Sequence, residues 1–331
     1  MGARFIELKT IQTLDELDVA KPCIDAEDLT FNCEWSQELR LEQSLDEYIK
    51  AWVLLHTLRK KLWGELDPAA PGFVFNMSVG YDLEGILNPN VTRFLEGMAD
   101  ATTRIRELQE ELAEILPEAA QVEIPPTLSD NVTLSTMHGC PPEEIEQIAH
   151  HLLTKRKVHT TVKMNPTLLG PDLLRALLNQ QAGFSEVDVP DAAFEHDTKY
   201  EDAVAMIRRL RDTAQREGLA FGLKLTNTLE VRNHRPVFPE GQDMMYMSGR
   251  ALHPLSVAIA KRLTDELGHT VPISFAGGAD AFNIVDILAS GLSPVTVCTD
   301  LLKSGGYMRL RDYFENILDA MRSSGVDSLG D

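Results

Sequence analysis

Two lysines, Lys163 and Lys224, each sit inside an apolar run, VKMN and LKLT. An ammonium group in such a setting is rarely buried without a partner, so each must meet something anionic or carbonyl-like. Two partner classes stay open for both: a bound ligand, or an internal carboxylate such as Glu7 or Asp300. Gly277-Gly278 ends another apolar run just ahead of a helical pattern. Backbone N–H groups at a helix start are a natural cradle for phosphate. Ser248-Gly249 supplies a second pair of donors, and the Thr299 hydroxyl a further contact. His138-Gly139-Cys140 precedes Pro141-Pro142 at a strand-to-helix turn. A thiol near a helix start can have a lowered pKa and transfer a proton, which makes Cys140 a candidate, with His138 the other acid–base group nearby. Against this, a single loop cysteine is more often an inert buried thiol.

These residues share a position in the pattern of elements. Short runs rich in β-branched or aromatic residues recur at 4–10 (RFIELKT), 73–80 (FVFNMSVG), 132–137 (VTLSTM), 160–165 (TTVKMN), 184–189 (FSEVDV), 220–228 (AFGLKLTNT), 271–278 (VPISFAGG) and 294–299 (PVTVCT). Continuous apolarity suits strands buried on both faces of a parallel sheet. Helical patterns separate them. Pro142 opens one helix, with Ile145, Ile148, Ala149 and Leu152 at helical spacing, and Ala203, Ile207, Leu210 and Ala214 form the stripe of another that Gly218 stops. Strand–helix alternation predicts an α/β fold, here a (β/α)8 TIM barrel formed by residues 1–331 as a single domain. A helical excursion at 92–126 and a polar loop at 229–247 interrupt it, and a loop that long is usually functional or disordered. In such a barrel the C-terminal strand ends carry the site, and here polar, small and glycine residues gather at those ends.

Composition narrows the partners. The 331 residues carry 31 Lys and Arg against 51 Asp and Glu, a net charge of −20, which disfavours nucleic acid and anionic lipid. No apolar run is long enough to span a membrane, and residues 1–9 lack a signal-peptide core, so a cytoplasmic protein is expected. Cys23, Cys33, Cys140 and Cys298 are too widely spaced for a zinc or iron–sulfur site, and no metal is expected.

The strand-end motifs resemble the flavin-mononucleotide barrel of dihydroorotate and dihydropyrimidine dehydrogenases: IELKT, VKMNP, TNT, SGRALHP, AGG and VCTD occur in that order. STMHGCPPEEIE, KMNPTLLG, LKLTNTL, MSGRALHPLS and TDLLKSGGYMRL are similar, over almost the whole chain, to large iron–sulfur flavoenzymes described as selenate reductase subunits. The resemblance implies FMN as cofactor. Lys9, Asn76, Lys163 and Asn227 would contact its ring or ribityl chain, and Gly249, Gly277 and Gly278 would hold its phosphate. Cys140 would stand where the dehydrogenases carry a proton-donating cysteine. Those enzymes have asparagine three residues before that cysteine, whereas this chain has Met137, which weighs against a pyrimidine substrate. Relatives also carry a glycine-rich first strand and helix ahead of RFIELKT, so the barrel is expected to lack its first strand. The segment at 184–189 supplies an eighth strand by count, although the motif order marks it as an insertion.

The resulting expectation is a flavin-dependent oxidoreductase barrel acting on a small planar or oxyanion substrate. Iron–sulfur clusters and FAD would belong to a redox partner domain or subunit. Two other readings stand beside it: a flavin-free scaffold or docking module of a redox complex, and a metal-dependent lyase or aldolase using Lys163 or Lys224 as a Schiff base.

Overall fold

Apolar, β-branched runs pair side by side wherever both their faces can be covered, and six do so here. In the computed structural model, which describes residues 3–11, 13–17, 24–27, 31–32, 37–64, 72–80, 82–135, 138–234, 238 and 241–328, ten strands are present. They are β1 (Phe5–Ile11), β2 (Ile24–Asp25), β3 (Phe31–Asn32), β4 (Val74–Val79), β5 (Asn131–Leu134), β6 (His159–Met164), β7 (Phe221–Leu225), β8 (Leu229–Arg232), β9 (Met244–Met247) and β10 (Ile273–Phe275). The main sheet is parallel, in the order β1-β4-β5-β6-β7-β10, and a bridge from Phe275 to Val295 extends it by one residue. Side chains of β1 and β7 meet across its interior, so the sheet is curled.

Helices cover the outer face. Phe75, Met77, Val79, Val132, Leu134, Val162, Met164, Leu223 and Leu225 are buried beneath them. The Leu41–Trp63 helix places Trp52 edge-on against Phe73 and Phe75, with centroids 5.0 and 5.1 Å away, while its indole N–H donates to the Pro125 carbonyl at 3.0 Å. Pro142 opens the Pro142–His151 helix, and Gly218, at φ 69°, ends the Tyr200–Glu217 helix in the left-handed conformation that glycine tolerates. Within the 92–126 region lie two helices, Pro89–Ala99 and Thr102–Ala113, and a single-turn helix, Pro117–Gln121.

Three segments differ from the sequence pattern. Residues 184–189 are not a strand: Val187 N–H donates to the Phe184 carbonyl in a turn, and the Asn179 side-chain amide donates to the carbonyls of Phe184 and Val187. A side chain there takes the backbone bonds a sheet neighbour would otherwise make. At 294–299 ladder pairing is reduced to Val295, and Thr299–Leu302 winds into a single-turn helix. The 229–247 segment is not simply a loop, because β8 and β9 within it form an antiparallel hairpin. Four residues of alternation per arm, with Leu229 and Val231 inward and Glu230 and Arg232 outward, were hidden by the charged neighbours. This hairpin joins β2 and β3 in a second, mixed sheet of order β3-β2-β9-β8. No described helix is long and apolar enough to cross a membrane.

Candidate functional site

A cavity of about 650 Å³ opens at the C-terminal ends of the parallel strands. That lies within the range of small-molecule sites, roughly 300–1,000 Å³. Its lining includes Glu7 and Lys9 from β1, Lys163 from β6, Lys224 from β7, and Cys298 and Thr299 after the last bridge. Local structure explains why these groups converge. β1 carries a bulge, since Glu7 pairs with Asn76 but Thr10 with Ser78, so three steps on β1 match two on β4. An extra residue re-aims the strand, and both Lys9 and Thr10 border the cavity. On β6 burial alternates, with Thr160, Val162 and Met164 under the helices and Lys163 on the opposite face. Lys163 is the register partner of Lys224.

The two lysines fare differently. Lys224, 2% exposed, donates to the Glu7 carboxylate across the barrel interior. Burial alone would push the Glu7 carboxyl up, but Lys224 and then Lys163 outweigh it and hold it below the usual carboxylate range. Burial in turn brings Lys224 down, against the attraction of Glu7. Lys163 borders the same cavity and makes no hydrogen bond or ion pair among the described residues. Asp300, the other carboxylate within reach in the sequence, is occupied elsewhere. It accepts from Arg309 Nε and Nη2 at 3.0 and 2.8 Å and from the Tyr313 hydroxyl at 2.9 Å.

Polar strand ends are tied into one wall. Asn227, 7% exposed, donates from Nδ2 to Asn165 Oδ1 at 2.8 Å and accepts from Ser135 Oγ at 3.3 Å, linking the ends of β5, β6 and β7. Opposite, Ser248 and Thr299 hydroxyls lie 3.4 Å apart. Gly249 and Gly278 both border the cavity with positive φ, 72° and 69°. A Cβ on Gly278 would sit 2.3 Å from the Gly249 carbonyl oxygen, and one on Gly249 would sit 2.8 Å from the Ala26 carbonyl oxygen. The two glycine turns therefore press together and leave backbone, not side chain, at that wall.

Of the residues singled out by sequence, Lys9, Lys163, Asn227, Ser248, Gly249, Gly278 and Thr299 border the cavity. Lys9 also pairs with Glu38 at 2.8 Å. Asn76 does not border it: its amide donates to Asn131 Oδ1 at 2.7 Å and its carbonyl accepts from Thr133 Oγ1 at 2.8 Å. Gly277 packs behind the cavity, where a Cβ would lie 2.1 Å from Ser256 Oγ. His138 and Cys140 stand outside the cavity lining as well. Met137 falls outside the described residues. The lowered pKa expected for the Cys140 thiol is corrected: burial, with Glu144, Asp82 and Asp197 nearby, pushes it up to about 12. Another thiol, Cys298, borders the cavity, and burial raises its pKa too, with Lys163 pulling the other way.

Sequence reasoning missed Asp197. It directly follows the Asp191–His196 helix and organises the His138 turn. Asp197 Oδ2 is 3.3 Å from His138 Nδ1 and accepts from Thr167 Oγ1 at 2.7 Å, while Oδ1 accepts from Gly139 N–H at 2.8 Å. His138 also stacks on Tyr246 of β9, with centroids 5.5 Å apart. No local pattern marks Asp197 in the sequence, because its partners lie 30 and 59 residues away.

A curled parallel sheet with a ligand-sized cavity at its strand C-termini defines a β/α-barrel of the TIM type. Residues 1–329 match the model of the family described as Oxidoreductase YgfK, N-terminal TIM-barrel domain, and the chain belongs to that family. It is 44% identical over 328 residues to the YgfK proteins of Escherichia coli strains K12 and O157:H7, covering 93% of this chain and 31% of each relative. The chain thus spans about a third of the length of these relatives. Among solved structures, the ligand-free DHODH of Eimeria tenella superposes with a TM-score of 0.57 at 15% identity, over 98% of this chain and 79% of that one. The same enzyme in complex with ferulenol gives a TM-score of 0.50 at 14% identity, over 98% and 77%. These similarities concern the fold.

Proposed function

We propose that this chain is the FMN-binding barrel of a flavin-dependent oxidoreductase, acting on a small planar or oxyanion substrate. The observation that carries the reading is the Lys163 ammonium, left without a carboxylate in a ligand-sized cavity whose far wall is two apposed glycine turns. The donor set fits the cofactor. The walls hold hydroxyls and backbone at Ser248, Gly249, Gly278 and Thr299 for a phosphate, and an amide and an ammonium at Asn227 and Lys163 for a polar ring edge. When bound, FMN supplies two-electron redox chemistry that no side chain here can supply.

The chain's own residues then bind and orient. Lys163 sets a positive charge against whichever ligand edge gains negative charge. Asn227 is held rigid by Asn165 and Ser135, so its position is fixed before ligand arrives. His138, held by Asp197, is the acid–base group of the β5 turn, and the Cys140 thiol stays protonated near neutral pH. Electrons reach the barrel from a redox partner domain or subunit that carries iron–sulfur clusters and FAD. The limited share of the relatives that this chain spans leaves room for one. The motif resemblance to selenate reductase subunits is the ground for proposing an oxyanion substrate, and a cytoplasmic location is proposed with it.

The test is a visible spectrum of the purified chain after incubation with excess FMN and desalting. Retained flavin in the wild type, lost in Lys163→Ala and Gly278→Asp, is expected. Equal retention in all three proteins would show that flavin does not use this site.

A further inference from the structure

Lys163 and Lys224 are register partners on adjacent strands of the same layer, and both border the cavity, yet a single carboxylate, Glu7, serves them. Glu7 is taken by Lys224, which reaches it across the barrel from β7 to β1. Two ammonium groups against one carboxylate leave the cavity floor with one net positive charge, and it resides on Lys163. We propose that Lys224 is a positioning residue whose role is to occupy Glu7, so that the Lys163 ammonium stays available to an anionic ligand group. Without Lys224, Glu7 would face Lys163, the other cation acting on it, and would neutralise the charge the ligand needs.

Burial supports this arrangement over a purely structural salt bridge. Lys224 is nearly inaccessible, whereas the Glu7 side chain keeps 24% of its surface exposed. A pair that served packing alone would gain nothing from placing its carboxylate at the cavity lining, and well-packed apolar residues usually serve as well as a buried ion pair. The identity of the ligand as flavin rests on the reading above, whereas the division of charge rests only on the geometry of Glu7, Lys163 and Lys224.

The inference predicts that one single variant moves and that the double variant rescues it. Lys224→Met lowers the floor to no net charge, and Glu7→Gln/Lys224→Met restores one; in Glu7→Gln the buried Lys224, left without its carboxylate, sheds its proton, so the count stays at one. With FMN bound, positive charge favours the reduced ring, so the midpoint potential should fall in Lys224→Met and stay near wild type in Glu7→Gln and in the double variant. A second readout needs no flavin: the acylation rate of Lys163 by acetic anhydride, followed by peptide mass spectrometry. The free amine is the reactive form, so the rate should fall on the order of tenfold in Lys224→Met, where Glu7 faces Lys163, and stay within about twofold of wild type in Glu7→Gln. It should return to wild type in the double variant.

An unchanged Lys224→Met protein, or a double variant that stays as low as Lys224→Met, would overturn the proposal. If Lys224→Met fails to fold, Lys224→Gln, which keeps a donor to Glu7 but carries no charge, takes its place with the same expected fall. If the wild type retains no flavin but acylation falls in Lys224→Met and recovers in the double variant, the flavin reading falls and this inference stands.

Discussion

His138, in the turn after β5, and Asp197, between the Asp191–His196 and Tyr200–Glu217 helices, are 59 residues apart, and the ring Nδ1 lies 3.3 Å from carboxylate Oδ2. The same carboxylate holds Gly139 N–H and the Thr167 hydroxyl, so one buried side chain fixes the turns after both β5 and β6. Burial pushes Asp197 up, but the His138, Thr167 and Gly139 contacts prevail and hold it below the usual carboxylate range. A carboxyl whose folded pKa is depressed stabilises the protein above its unfolded pKa, near 4, and loses that contribution as pH falls through the lower folded value. Asp197→Asn should therefore lower stability by about 1.5–3 kcal/mol at pH 7, the range for hydrogen bonds to a charged group. The gap between variant and wild type should narrow toward pH 3. Urea unfolding at both pH values checks this, and a gap of equal size at each would contradict it.

Cys140 offers a sharp negative expectation. A thiol near 12 has a thiolate fraction of roughly one in ten thousand at pH 8, so alkylation of the native chain at Cys140 should be slow. Cys140→Ala should hold FMN within about twofold of wild type, because the side chain is not part of the cavity wall. Equilibrium dialysis reads the affinity. A large loss in Cys140→Ala would place that turn at the ligand after all.

Gly278 is more demanding than its size implies. Gly278→Ala adds a Cβ at positive φ and 2.3 Å from the Gly249 carbonyl oxygen, so the two turns must part. Backbone strain of this kind costs about 1–3 kcal/mol, and the displaced wall should lower FMN affinity at least tenfold. Thermal unfolding and FMN titration measure the two effects separately. An unchanged melting temperature would mean that the turns do not pack as described.

Asp300 anchors the Leu310–Ser324 helix beside the site through Arg309 and Tyr313. Burial would raise its pKa, but Arg309 and Tyr313 overcome this and keep it low, while burial and Asp300 push the Tyr313 hydroxyl well above its usual range. Asp300→Asn should destabilise the chain by about 2–3 kcal/mol, discounted for the partial exposure of Arg309. A shift in the urea midpoint tests it, and no shift would show the clamp to be dispensable.

The sequence pattern located all six strands of the main sheet to within three residues at each end, because their apolar runs are set off by polar strand ends. The sixth, β10, forms only over Ile273–Phe275 of the expected 271–278 run. The β8–β9 hairpin was not legible, since four alternating residues flanked by charges look like a polar loop. The opposite error occurred at 184–189, where buried Val187 and Val189 imitate a strand while an asparagine side chain takes the carbonyls. Local composition reports burial, and burial alone does not distinguish a strand from a well-packed turn.

The sequence by itself determined that Lys163, Lys224, Asn227, Gly249, Gly278 and Thr299 would lie at strand ends or turns, because the alternation of elements fixes which end of each strand is polar. It also narrowed the partner of each buried lysine to a carboxylate or a ligand. Only the tertiary structure decided which lysine has which partner: curling the sheet brings Glu7, 217 residues away, to Lys224 and leaves Lys163 facing the cavity. It likewise turned Asn76 toward Asn131 and placed Cys140 outside the cavity wall. Such choices depend on distances across the barrel, and a pattern read along the chain carries no information about groups that meet only when the sheet closes toward itself.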